Sequence, residues 1–140
     1  MNGTAIIWPM TVQALVSLWL YVPMSRARLA SVKRGKAKAS DFRLPDVDEQ
    51  PETRQLANAV ANQFELPVLF FTVCLAALAI GSVGWVLTVL AWIFVLSKTV
   101  HSCIHATSNR LRYRRPVFMV AWGACILMWV WFAASALFGR

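Results

Sequence analysis

Three stretches of the chain carry no charge: Met1 to Met24, Leu66 to Ser97 and Pro116 to Gly139. Each compares with the roughly 20 apolar residues that a helical membrane span needs. The middle stretch is interrupted by Gly-Ser-Val-Gly from Gly81 to Gly84 and reads as a hairpin. The pattern therefore predicts an all-α, integral membrane four-helix bundle in one domain, with spans at about residues 5–25, 54–80, 84–108 and 116–138 and a polar loop over about 26–53. Pro116 suits a first helical position, and Glu52 with Thr53 suits a helix start, where negative charge meets the positive end of the peptide dipole.

Length then decides depth. Two spans of about 20 residues plus a tight turn need roughly 44 residues, and the run from Leu66 to Ser97 has 32. The shortfall draws polar flanks into the bilayer: Asn58, Asn62 and Glu65 on one side, Lys98, His101 and His105 on the other. Arg54, Asn58, Asn62 and Glu65 are spaced i, i+4, i+8, i+11, one stripe of a single helix that runs on into LPVLFFTVCLAALAI. Lys98, His101, His105, Asn109 and Arg112 step by three or four and form an answering stripe on the next helix. Antiparallel pairing sets Glu65 level with Val100 and Asn58 near Thr107. On the first span, Gln13 and Ser17 share a face from which to hydrogen-bond a neighbouring helix.

Composition agrees with the pattern, since 59% of residues are hydrophobic and 14% charged, with seven Trp and eight Phe. The formal charge of +8 would suit a nucleic-acid partner, but its distribution points elsewhere. Every Lys and Arg except Arg140 falls between Arg26 and Arg54 or between Lys98 and Arg115. Basic residues on one set of loops mark a cytoplasmic face and leave the N-terminus outside; they imply contact with anionic lipid headgroups and no nucleic acid. With no basic segment ahead of it, the first apolar stretch reads as a retained span and not a signal peptide. All acidic residues but Glu65 lie from Asp41 to Glu52, in a loop broken by Pro45 and Pro51 and read as solvated. Cys74, Cys103 and Cys125, odd in number and unpaired in spacing, read as small buried apolar residues. Trp122, Trp129 and Trp131 read as packing or lipid-facing residues.

A charge at membrane depth costs about 2.5–3.5 kcal/mol on insertion scales, so Glu65 needs a partner, with Lys98, His101 and the arginines beyond them in range. The competing reading is a structural ion pair joining the second and third spans. His101 and His105 have the H-x-x-x-H spacing of a zinc pair, but no third ligand of the usual type accompanies them, and no metal is expected. A cytoplasm-facing pocket with one carboxylate and several cations suits a small anionic or zwitterionic ligand: arginines for carboxylates, Glu65 for an ammonium.

NQFELPVLFF at Asn62–Phe71 and HSCIHATSNRLRYRRP at His101–Pro116 resemble the MAPEG family, the membrane-associated proteins of eicosanoid and glutathione metabolism, and its bacterial branch in particular. The resemblance extends over essentially the whole chain. It implies a homotrimer, in a bacterial inner membrane, that holds glutathione as cosubstrate between subunits near the cytoplasmic side. By motif, Asn62 and Glu65 would bind glutathione. Asn58 stands where the enzymes of the family have an Arg, with Arg54 one turn further back, and His101 and His105 replace tyrosines. Lys98 and Asn109 join the expected ligand set, and one of Arg112, Arg114 and Arg115 would activate the thiol for attack on a small lipophilic electrophile or hydroperoxide from the bilayer. The rival readings are a non-catalytic member binding a lipid or thiol, and a small proton-coupled exporter using Glu65. The exporter fits less well, because the first span has no acid and the first loop is long.

Overall fold

A computed structural model describes residues Gly3–Phe42 and Gln50–Phe138. The expectations for Pro45, for the acidic residues from Asp46 to Glu49 and for Arg140 lie outside them. Five α-helices follow in order: α1 (Ile7–Lys33), α2 (Pro51–Ala61), α3 (Leu66–Ala79), α4 (Trp85–Ala106) and α5 (Leu111–Phe138). They make four segments long and apolar enough to cross a membrane, Gly3–Lys33, Pro51–Ala79, Trp85–Ala106 and Leu111–Phe138. The second segment is two helices joined through a short 3-10 turn, Asn62–Phe64.

That joint departs from the continuous helix expected here, and Pro67 accounts for it. Proline has no N–H to donate to the carbonyl four residues back, its ring crowds that carbonyl, and it disfavours helical geometry at the preceding residue. The helix accordingly stops short of Glu65 (φ −98°, ψ −99°) and restarts with Pro67 in its first turn. The polar stripe and the apolar run lie on separate helices. At 1.5 Å per residue the 14 residues of α3 span about 21 Å, well short of a hydrocarbon core of about 30 Å. The segment long and apolar enough to cross, Pro51–Ala79, therefore includes the joint and with it Asn62 to Glu65.

Two other ends differ from expectation. The first helix continues through Pro23 and Met24 to Lys33, because SRARLASVK is rich in good helix formers and leaves the bilayer with its charges in water. It ends where Gly35 takes φ +66°, a left-handed conformation open to glycine, so that Gly35 and Lys36 donate backwards to the Val32 and Ser31 carbonyls at 2.9 and 3.0 Å. Gly81 (φ +68°) ends α3 in the same way, with Ser82 N donating to Ala77 O. The last helix begins at Leu111 and not Pro116, which sits inside it. Asn109, at φ +49°, turns the chain sharply after α4, and the Arg110 carbonyl accepts from Tyr113 and Arg114 N–H to start α5 early.

The core lies toward the end away from the basic residues. Phe70 of α3 stacks on Phe94 of α4 with ring centroids 4.4 Å apart, and Val73, Ala91, Ala121 and Met128 close around them with no exposure. Small residues where α4 and α5 meet, Ala91, Ala121 and Ala124, let the backbones approach, as packing between membrane helices favours. Ser82 and Ser135 share a 2.7 Å hydrogen bond at the uncharged end. Cys74 and Cys125 are buried in this core, whereas Cys103 is exposed on the outer face of α4, against expectation. Trp122 and Trp131 face outward and Trp129 packs edge-on against Phe132.

Candidate functional site

The joint in the second span turns two neighbouring amides in different directions. Asn62 reaches Lys98 of α4, which is fully buried and donates through Nζ to both the main-chain carbonyl of Asn62, at 3.2 Å, and its side-chain oxygen Oδ1. The other end of the same amide, Nδ2, donates to Glu65 Oε2 at 3.0 Å. Only one amide orientation serves both neighbours, because an ammonium can only donate and a carboxylate only accept. Asn62 thereby relays between a buried cation and an exposed anion. Lys98 also lies 5.5 Å from the centre of the Phe118 ring, so a π-face supplies part of the solvation it has lost.

Beside this relay is a cleft of about 220 Å³ lined by Asn62, His101, His105, Arg114, Arg115 and Phe118, with Leu111 at its edge. His101 and His105 present their rings from the same face of α4 as Lys98, with centroids 5.7 Å apart, and His101 also meets Phe118 at 5.4 Å. The Nδ1 atoms of both histidines are buried without a hydrogen-bond partner. Arg114 is held by a hydrogen bond to Asn109 Oδ1, across the turn that Asn109 itself makes. The structure thus brings together Asn62, Lys98, His101, His105, Asn109, Arg114 and Arg115. Among the described residues, no group of three His, Cys, Asp or Glu side chains is placed to hold a metal ion.

The remaining expected residues lie elsewhere. Arg54 and Asn58 are exposed on α2, and Glu65 is exposed just beyond it. The predicted stripe therefore faces out of the protomer, with Asn62 at its inner edge. What turns inward is one residue along: Gln55 donates to the carbonyls of His105 and Thr107 at 2.8 and 3.0 Å, and Ala59 is buried below it. Arg112 is exposed and lines no part of the cleft. It does not continue the α4 stripe either, because α4 ends at Ala106 and Arg112 belongs to α5.

On the other side of the joint is Gln63, which the reading of the sequence missed. It is buried between α1 and α4, donates to Ser102 Oγ at 2.8 Å, and accepts from Gln13 Nε2 at 3.0 Å. Ser17 lies within 3.5 Å of the same Gln63 oxygen and donates to the Gln13 carbonyl. The shared face of Gln13 and Ser17 thus finds its partner on a neighbouring helix. An unmatched pair of polar residues on an otherwise apolar first span was the signal that a third polar group had to meet them at depth.

Against models of protein families, the chain matches that of the MAPEG family over residues 6–134. It belongs to the MAPEG family. A search of curated proteins and a search of solved structures each returned no match. The matched range takes in the second and third spanning segments, nearly all of the first and fourth, the joint and the cleft, so the relay and the amide network of this MAPEG protein both lie within it.

Proposed function

We propose that this MAPEG protein is a glutathione-dependent membrane transferase or peroxidase acting on lipophilic electrophiles that enter from the bilayer. The observation that carries the reading is that one cleft at the basic end of a membrane bundle gathers Arg114, Arg115, two histidines and the amide of the Lys98–Asn62–Glu65 relay. The donor set suits glutathione, which has two carboxylates, one ammonium and one thiol. Arg114 and Arg115 offer guanidinium forks to carboxylates, Glu65 offers a carboxylate to the ammonium, and the rings of His101 and His105 line the same cleft. Bound glutathione would supply a nucleophilic sulfur. Arg114, already oriented by Asn109, is the residue to hold negative charge on that sulfur, since a neighbouring guanidinium favours the thiolate over the thiol.

The protomer's cleft, about 220 Å³, is smaller than the roughly 300–1,000 Å³ of most ligand pockets. Glu65, Arg54 and Asn58 sit outside it on an exposed face. A carboxylate at this depth is costly against lipid, by about 2.5–3.5 kcal/mol. Both points support a site completed by a second protomer, within a homotrimer in which the face bearing Glu65 is covered. The clustering of basic residues supports an orientation with this end cytoplasmic.

Titration calorimetry with glutathione on the purified full-length protein, followed by conjugation to a chlorodinitrobenzene-type electrophile and reduction of a lipid hydroperoxide, tests the reading. Saturable binding with turnover is expected, together with an ultraviolet thiolate signal near neutral pH that Arg114→Ala abolishes. Binding without turnover in either assay would make this a non-catalytic thiol-binding member of the family. No binding would overturn the proposal.

A further inference from the structure

A second cavity, of about 340 Å³, opens at the basic end between the last turns of α1 and the first turn of α2. Arg34 and Lys36 line it from α1's end, Glu52 and Thr53 from α2's start, and Ser31 from α1 itself. The carbonyls that would make the end of a helix repel an anion are already occupied, because Arg34, Gly35 and Lys36 N–H fold back onto Ala30, Val32 and Ser31 O. Opposite them, α2 begins with Pro51, and the side chain of its N-cap residue, Gln50, does not cap it. The N–H groups of Glu52 and Thr53 lie in its first turn, where no intrahelical carbonyl precedes them. Positive helix end and two cations face one space.

Ser31 points independently to a ligand. It is 7% exposed, and its hydroxyl has no hydrogen-bond partner. Other hydroxyl residues of these helices, Ser17, Thr88, Ser97 and Thr99 among them, donate to the carbonyl four residues back; Ser31 does not. A buried hydroxyl without a partner is costly, and one that lines an electropositive cavity is placed to donate to an anion. Arg28 is engaged elsewhere, 5.2 Å from the Phe42 ring, and is not counted among the cations.

We propose that this cavity binds a phosphate group, held by Arg34, Lys36, the Ser31 hydroxyl and the first-turn N–H groups of α2. Among the described residues that line the cavity, two cations and a helix N-terminus are set against one carboxylate, Glu52, a balance that matches a singly charged phosphodiester better than a dianion. Glu52 then stands ready for the ammonium of a zwitterionic headgroup. Ser31 is seven residues past Met24, the last residue of the charge-free stretch, which is about 10 Å along a helix. A lipid headgroup and a small soluble phosphate compound both reach that level.

The test uses the full-length protein in a phosphate-free, uncharged detergent at physiological salt. Three probes are titrated: a short-chain phosphatidylethanolamine, its diacylglycerol counterpart, and inorganic phosphate, with binding followed by native mass spectrometry and by phosphorus NMR. The phosphate-bearing lipid is expected to bind and the diacylglycerol not. Arg34→Ala with Lys36→Ala should weaken binding by about tenfold or more, and Ser31→Ala by about threefold to tenfold, with helical circular dichroism unchanged. Lys33→Ala with Lys38→Ala, which removes the same charge from outside the cavity, should leave affinity within about twofold. Inorganic phosphate binding as tightly as the lipid would assign the site to soluble phosphates, and lipid binding alone would assign it to headgroups; either supports the proposal. Equal losses in the two double variants, equal retention of diacylglycerol, or no binding of any phosphate probe would overturn it.

Discussion

Asn62 and Gln63 are adjacent amides in one short turn, at one depth, and they serve different chemistries. Asn62 joins a fully buried ammonium to an exposed carboxylate, beside a cleft open to ligand. Gln63 joins neutral groups from α1 and α4, Gln13 and Ser102, and hydrogen-bonds to no ionised group among the described residues. The ionic side holds the charges that glutathione would meet under the proposed function, whereas the neutral side ties three helices together around them. One joint supplies both because a 3-10 turn carries successive side chains to different neighbours.

The comparison breaks most readily on the ionic side. Asn62→Leu should cost about 3–5 kcal/mol of stability in detergent micelles, since among the described residues it leaves Lys98 in direct contact with only a main-chain oxygen and a ring face. A loss below 1 kcal/mol by chemical unfolding, on the order of one ordinary hydrogen bond, would show that the relay carries no special weight. Gln63→Leu should cost less, about 1–3 kcal/mol, because the stranded partners, Gln13 and Ser102, are neutral. Adding Gln13→Leu should recover part of that loss, and simple additivity in the double-mutant cycle would contradict the direct contact. The proposed function sharpens the contrast: Glu65→Gln should weaken glutathione binding by about tenfold while Ser102→Ala, at similar depth, leaves it within about twofold. The smallest expected difference concerns salt. Between 50 mM and 500 mM, ligand affinity should fall in the wild type, with the unfolding free energy of Gln63→Leu relative to wild type changing by only about 0.5 kcal/mol or less.

Much of the architecture was legible from the residues. Charge-free runs and a hairpin too short to cross twice gave four spans and assigned Asn62, Lys98, His101 and His105 to the second and third, as the helices do. The pairing expected across the hairpin agrees with the observed contact of Gln63 with Ser102, and Asn62 meets Lys98 about one turn away from it. What was not legible follows from treating the second span as one helix. Periodicity on a continuous helix put Arg54, Asn58, Asn62 and Glu65 on a common inward stripe, but packing turned Gln55 and Ala59 inward and broke the stripe after Asn62. Gln63, about 100° around the helix from Asn62, fell off the expected stripe. Pro67 was visible throughout, and weighing its effect on the preceding turn would have exposed the joint.

The joint also ties the shape of the backbone to the state of the cleft. In an unbroken helix the Asn62 carbonyl would belong to Leu66 N–H; here the main chain gives way before Pro67 and Lys98 docks on that oxygen instead. Any guest that lures the ammonium away must offer this oxygen a substitute donor, or leave it facing hydrocarbon.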